Sequence, residues 1–416
     1  MRILFLAPQP FYQDRGTPIA VRLALEVLAG GEGHTVDLLC YEEGADIEIP
    51  NVTVHRTRVP GINGIGPGIS LKKIVCDVAF AWSAFKLVWR ARRERYALVH
   101  AVEESVFIAL IIKWCTAIPY VYDMDSSLAL QVTEKWWLLK PLGPVLAILE
   151  KVAVKQSVAV VPVCDALAVI ANRHGAQDAE VLSDISLLNL EQGTPAAVDL
   201  RAEAEIPPGN LVALYIGNLE SYQGIDLLIE GIAVVSARLM NTSLVIIGGR
   251  PNHIAAYRAL AERLGVGSQV RFLGPRPVST LNGYLTQADI LLSPRIKGNN
   301  TPMKIYSYLH SGVPMVATKL PTHTQVMDES VALLTAPTPV AFGQGIEQLV
   351  HDGELRRKLG RAAFELAERR YTFGVFRQTL SAIYRRVGAR IGGTDSDDPQ
   401  NGMRQVVNGE GRGGGR

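Results

Sequence analysis

Short apolar runs alternate with longer amphipathic stretches along most of the chain. This is the pattern of parallel strands joined by helices. Residues 2–6, 35–40, 52–56, 97–101, 120–123, 158–163 and 179–182 read as strands. Most are apolar throughout, as strands covered on both faces are. A helix over 19–29 joins the first two, so the chain opens as a βαβ unit. Residues 60–68 are rich in glycine and proline and read as loop. Residues 191–210 are polar, with Pro195, Pro207, Pro208 and Gly209, and read as a linker. The alternation then restarts, with strands at 211–216, 243–248, 270–273, 288–292 and 313–317. Helices are expected at 225–238, 303–310, 351–370 and 371–387. Residues 388–416 have too few apolar groups to offset their ordering entropy and read as a disordered tail.

A chain of 416 residues exceeds one ordinary core. The pattern divides it into a first α/β domain over 1–190 and a second over 211–370. Apolar residues at 48% and charged residues at 20% describe a globular protein. A net charge of +2 gives no bias toward nucleic acid. Cys40, Cys76, Cys115 and Cys164 lie far apart and form no Cys-x-x-Cys pair, which argues against a zinc site and fits a reducing compartment. The apolar start fits a buried strand better than a signal peptide. No apolar run is long enough to span a bilayer, so a cytoplasmic protein is expected.

Chemistry concentrates in residues 293–318. An apolar strand ends at Ser293-Pro294, and a loop follows with Arg295, Lys297, Gly298, Asn299 and Asn300. Thr301-Pro302 has the form of an N-cap followed by proline at the first helical position. Gly312 is placed to end that helix. Backbone N–H groups at a helix start suit phosphate, and Arg295, Lys297 and Lys304 add full charges. Earlier, Gly16 and Thr17 follow the first strand, where open α/β sheets bind ligands. Asp123 and Asp125 follow another strand end, as helix caps or as acceptor-side groups. Glu103 and Glu104 follow His100 and carry the same two readings, acceptor contact or helix start.

The segment 311–318, SGVPMVAT, resembles the donor site of the retaining, family-4-type glycosyltransferases of the GT-B fold (group 1 glycosyl transferases). The resemblance extends over residues 1–387. It implies two facing Rossmann-like domains, with a last helix crossing back to the first. It further implies transfer of a hexose from a UDP- or GDP-sugar to an acceptor hydroxyl, with no protein nucleophile, cofactor or metal. The family's two helix glutamates fall on Asn299 and Ser307, read as neutral groups that hydrogen-bond sugar or ribose hydroxyls. Its diphosphate loop, with an arginine and a lysine, falls on 217–224, where Asn218 and Gln223 stand instead. Arg295, Lys297, Asn300, Thr301 and Lys304 would then hold the diphosphate. Residues 272–274 resemble the segment beside the nucleotide base. The family's histidine-x-histidine falls on His100 and Val102. The resemblance places His100, Glu103, Asn299 and Ser307 at the reacting sugar, with Asp123 and Glu104 toward the acceptor. Two alternatives share the fold: a UDP-N-acetylglucosamine 2-epimerase and a binding protein that has lost its chemistry.

One stretch lies outside that frame. Residues 69–96 place Ile74, Val78, Trp82, Phe85 and Trp89 on one helical stripe. Lys72, Lys73, Lys86, Arg90, Arg92, Arg93 and Arg95 surround it. Aromatic residues flanked by basic ones suit an anionic membrane surface; a core-facing helix with a solvated basic end is the other reading. Residues 135–149, with Trp136 and Trp137, repeat the theme. The expected partners are a nucleotide-sugar, a glycan or lipid acceptor, and the inner face of a membrane.

Overall fold

The computed structural model describes residues 1–13, 16–61, 71–91, 93–127, 143–188, 198–298 and 300–394. Asn299, Arg92, Trp136, Trp137 and residues 395–416 therefore lie outside the described residues.

Two six-stranded parallel sheets carry the chain. The first has strands β1 (Arg2–Pro10), β2 (Thr35–Tyr41), β3 (Val52–Thr57), β4 (Leu98–Val102), β5 (Tyr120–Met124) and β6 (Ala159–Pro162) in the order β3-β2-β1-β4-β5-β6. Its helices are α1 (Gly16–Leu25), α2 (Leu71–Arg90), α3 (Ser105–Thr116), α4 (Gly143–Gln156) and α5 (Asp165–Arg173). The second sheet has β7 (Leu211–Ile216), β8 (Thr242–Ile247), β9 (Val270–Gly274), β10 (Ile290–Ser293), β11 (Met315–Thr318) and β12 (Leu333–Thr335) in the order β12-β11-β10-β7-β8-β9. Its helices include α6 (Ile225–Val235), α7 (Pro251–Arg263), α8 (Lys304–His310), α9 (Pro339–His351) and α10 (Gly353–Arg370). Helix α11 (Phe373–Thr394) ends the described chain.

Each sheet is buried on both faces, and the two-residue period of the strands sorts side chains between two cores. Ile3, Phe5 and Ala7 of β1 enter one core, Leu4 and Leu6 the other. Val212 and Leu214 of β7 separate in the same way from Ala213 and Tyr215. Phe376, Leu380, Ile383, Tyr384 and Val387 of α11 pack into the first domain's core, so the last helix crosses back as expected.

Several boundaries differ from the sequence reading. The last helix runs past Val387 because the first domain continues to hold it. Arg386 bonds Asp178 and Glu180, and Arg390 donates to the Val158 carbonyl at 2.7 Å. Residues 388–394 are thus helical, not tail. Residues 179–182 form no strand; Ala179 makes one bridge to Val160. The expected linker is partly core, since Leu200, Ala204 and Ile206 bury in the second domain. Helix α9 and strand β12 were not anticipated. A break at Asp352 separates α9 from α10, where its carboxylate caps Leu355 N–H at 2.8 Å.

Candidate active site

Both sheets reverse their strand order beside a central strand, between β1 and β4 and between β10 and β7. Ligands of open α/β sheets sit outside the strands' carboxyl ends at such points. Here the two points face each other across a cleft of about 540 Å³. Gly16 and Leu187 line it from the first domain; Asn218, Gln223, Arg295 and Lys304 line it from the second.

The second domain's wall is built on close backbone contacts. A Cβ on Gly224, at φ 72°, would lie 2.1 Å from the Pro294 carbonyl oxygen. Only glycine lets the loops after β7 and β10 meet this way. Arg295 packs its guanidinium against Gly298 and over the Tyr222 ring, with Nε donating to the Lys297 carbonyl at 2.7 Å. The Lys304 Nζ sits 3.7 Å from the Tyr215 ring centroid. It finds no hydrogen-bond acceptor among the described residues. Burial first, and then Arg295, hold its pKa well below that of a free lysine. Gln223 is buried with its Oε1 also lacking a partner. Beneath this wall, His323 Nδ1 bonds the Thr318 carbonyl and Nε2 the Ser293 hydroxyl, both at 2.8 Å. Thr318 Oγ1 donates to the Arg295 carbonyl, so a buried neutral histidine fixes the arginine's backbone. Burial pushes that histidine down to about 4.

The phosphate-binding helix start is not as expected. Helix α8 begins at Lys304, with Met303 at the cap position and no side-chain cap bond. Thr301 is buried, and its hydroxyl accepts from Gln325 Nε2 at 2.9 Å. A long-range partner thus takes the group the local pattern assigned to capping. Lys297 is exposed beside the cleft. Asn218 turns into its own loop, with Oδ1 accepting from Glu220 N–H at 3.2 Å.

Behind the first domain's side of the cleft, acids cluster at the carboxyl ends of the strands, though none of them is among the residues that line it. Glu103 and Glu104 follow β4, Asp123 and Asp125 mark the end of β5, and Asp184 comes after α5. Burial and then Glu104 raise the Glu103 carboxyl to about 7. Burial and then Asp123 raise Asp184 to about 7. Burial, Asp123, Glu103 and Asp184 raise Asp125 well above the carboxylate range, with the Thr17 hydroxyl opposing them. Glu104 pairs with Lys73. His100 is 1% exposed and does not line the cleft. Its Nδ1 meets the Tyr384 hydroxyl at 2.8 Å, its Nε2 meets Asp123 at 3.2 Å, and its ring stacks on Phe5.

Among the described residues, bonds that cross between the domains include two at the cleft. Asn300 Nδ2 donates to the Asp125 carbonyl. Leu187 N–H donates to Ser307 Oγ at 3.0 Å. Ser307 lines the cleft, as expected, but is itself buried with its hydroxyl oxygen held by this bond.

Two family models match the chain: "Glycosyl transferase 4-like domain" over residues 16–182 and "Glycosyl transferases group 1" over residues 198–366. Together they span most of it. The chain belongs to the group 1 glycosyltransferases. D-inositol 3-phosphate glycosyltransferase of Corynebacterium glutamicum is 31% identical over 192 residues, 44% of this chain and 45% of that protein. The chain thus matches less than half the length of that curated relative. Among solved structures, sucrose-phosphate synthase from Thermosynechococcus elongatus superposes with a TM-score of 0.76 at 18% identity, covering 94% of this chain and 99% of the other. Anabaena HepE in complex with UDP-glucose gives 0.70 at 18% identity, covering 92% and 99%. These structures share the fold, two facing Rossmann-like domains.

In this group 1 glycosyltransferase, several site residues escaped sequence reasoning. Asp184 lies in an irregular segment with no periodic signal. Tyr384 and His323 act through contacts distant in sequence. Tyr215, the platform under Lys304, looks like any core strand residue. The Lys304 and Gln223 side chains were singled out by sequence and do meet at the cleft.

Proposed function

We propose that this glycosyltransferase moves a hexose from a UDP- or GDP-sugar to an acceptor hydroxyl with retention of configuration. The reading includes a glycan or lipid acceptor and a place at the inner face of a membrane. One observation carries it: Arg295 and Lys304 enter the cleft at the carboxyl ends of β10 and β7 with no acidic partner among the described residues. Two cations held this way match a diphosphate, which takes charge-assisted bonds at both. A nucleoside-diphosphate sugar as donor is further supported by HepE, solved with UDP-glucose.

In this reading the bond between the sugar's anomeric carbon and the diphosphate oxygen breaks while the acceptor oxygen bonds the same carbon on the same face. The acceptor's proton passes to the departing phosphate oxygen. Arg295 and Lys304 stabilise the charge that grows there, and a desolvated site strengthens the effect. No metal, cofactor or protein nucleophile enters the scheme. Asn299, which lies outside the described residues, joins the donor loop on the family resemblance alone.

A thermal-shift screen over nucleoside diphosphates tests the reading, because binding to the native state raises apparent stability. UDP or GDP is expected to raise the transition of the wild type and not of Lys304→Ala. No shift with any nucleoside diphosphate overturns it. Release of free UDP or GDP only when an acceptor is added separates transfer from epimerisation and from binding without chemistry.

A further inference from the structure

We propose that α2, α3 and α4 together form a docking face for an anionic lipid bilayer, an inference that rests on the membrane-side reading above and names its surface. The three helices lie side by side over one core of the first sheet. Cys76, Phe80 and Ala84 of α2, Val106 and Ala109 of α3, and Ala153 and Val154 of α4 fill that core. The opposite faces are apolar as well. On α2, Val78 is 68% exposed and Trp82 67%; on α3, Trp114 is 63% exposed; on α4, Ile148 is 61% exposed. Ile74, Val75, Ile111, Val145 and Leu149 are exposed beside them. Exposed apolar residues scattered singly need no explanation, but a set spread over adjacent helices marks an interaction surface. The core-facing alternative for the α2 stripe fails at Ile74, Val78, Trp82 and Trp89, and holds only for Phe85, which packs against the core.

Charge decides the occupant. The exposed charged side chains on these three helices are Lys72, Lys86, Arg90, Lys151 and Lys155, all basic. Their two acids are turned away: Asp77 takes the Tyr41 hydroxyl, and Glu150 is buried on Ser127 and His174. A second copy of this face would bring like charges together, whereas an anionic surface matches both the aromatic and the basic components. No helix among the described residues is long and apolar enough to cross a membrane, so contact is interfacial. Lys73, in the first turn of α2, pairs with Glu104, which follows β4. The docking face therefore begins at the carboxyl-end edge of the first sheet, the edge that faces the second domain, so an acceptor anchored in the bilayer approaches from that side.

The test is co-sedimentation of the full chain with vesicles of phosphatidylcholine alone and of phosphatidylcholine mixed equally with phosphatidylglycerol, at low and high salt. Wild type is expected to pellet with the mixed vesicles at low salt and to be released by salt. Lys86→Gln and Arg90→Gln are each expected to weaken binding roughly fivefold, the equivalent of about 1 kcal/mol per basic residue near an anionic surface. The triple variant Trp82→Ser, Trp114→Ser, Ile148→Ser is expected to lose at least tenfold. All variants should keep the wild-type thermal shift with nucleoside diphosphate. Wild type remaining in the supernatant with mixed vesicles at low salt overturns the proposal, as does pelleting unchanged in every variant. A dimer in ultracentrifugation that the triple variant dissociates, without vesicle binding, assigns the face to a second copy and also overturns it. Vesicle binding without any nucleotide shift supports the docking face and counts against the proposed nucleoside-diphosphate donor alone.

Discussion

The two sides of the cleft are built from opposite residue types, unpaired cations lining one and crowded carboxyls lying behind the other. The second domain presents Arg295 and Lys304 over tyrosine rings, with no carboxylate beside them among the described residues. The first presents Glu103, Glu104, Asp123, Asp125 and Asp184, with Lys73 and His100 as its pairing groups. Cations that lack partners are desolvated at a cost and recover that free energy when an anion arrives. Carboxyls crowded together instead raise one another's pKa and hold protons. In the proposed function the first arrangement receives the dianionic diphosphate. In the proposed function the second side, whose crowded carboxyls hold protons, lies toward the hydroxyl-bearing acceptor. This differs from a phosphorylated acceptor such as the name D-inositol 3-phosphate glycosyltransferase gives for the Corynebacterium relative.

The largest effect is expected on the basic side. Lys304→Ala and Arg295→Ala should each weaken nucleoside diphosphate binding by roughly 1.5–3 kcal/mol, the range for hydrogen bonds to charged groups. Calorimetric titration measures it. Equal affinity in wild type and both variants would remove the diphosphate from this wall and end the contrast between the two sides.

Next comes the bond between the walls. Ser307 is fully buried with Oγ bonded to Leu187 N–H, at the position where the family resemblance expects a glutamate. Ser307→Glu must displace that bond and overfill the floor of the cleft, costing roughly 1–3 kcal/mol of stability. Turnover should fall with it. A Ser307→Glu variant that is as stable as wild type and faster would show that the site accepts the carboxylate and that the tether is dispensable.

How far the sequence could be read follows from which contacts are local. The alternation of Ile3, Leu4, Phe5 and Leu6 between two cores is a period-two property, visible in the string. The crossing of the last helix rested on the family resemblance, and its apolar stripe proved to be core. Helix α9 could have been found from Thr338-Pro339, since Thr338 caps Ala341 N–H as local rules describe. The same rules misplaced the start of α8, because Thr301 bonds Gln325 instead of the backbone ahead of it. His100 was placed at the reacting sugar by the family resemblance. Its partner Tyr384 lies 284 residues away, and no local pattern announces it. The acidic wall was half visible, as Glu103, Glu104, Asp123 and Asp125 follow strands, while Asp184 joins only in the fold.

A smaller effect tests the acidic side through pH. Asp184 is raised to about 7 in the folded protein, above the usual carboxylate value near 4 in the unfolded chain. Between those values the native state holds a proton that the unfolded state has lost. Stability from this group is therefore present at low pH and lost as pH rises toward and past 7. Asp184→Asn should leave thermal stability at pH 3 little changed and raise it at pH 8 by about 1–2 kcal/mol, after discounting for solvent near a half-buried group. Equal stability differences at both pH values would show that the carboxyl titrates normally and that the wall is not crowded in the sense argued.

The smallest change separates structure from chemistry at His100. Tyr384→Phe removes one hydroxyl from the interior and leaves the ring that packs beside His100. It deletes the 2.8 Å bond to Nδ1 while the bond from Nε2 to Asp123 remains. A single internal hydrogen bond contributes about 1 kcal/mol. The variant should therefore unfold slightly earlier, with kcat and KM near wild type, because His100 is 1% exposed beneath the cleft. A histidine that contacted the reacting sugar would respond differently. Losing the Tyr384 bond would free its ring and change its tautomer, and kcat would fall with little change in stability. Denaturant unfolding and steady-state kinetics on the same variant distinguish the two. A drop in kcat of tenfold or more, at unchanged stability, would move His100 from the support of the acidic wall into the reaction itself.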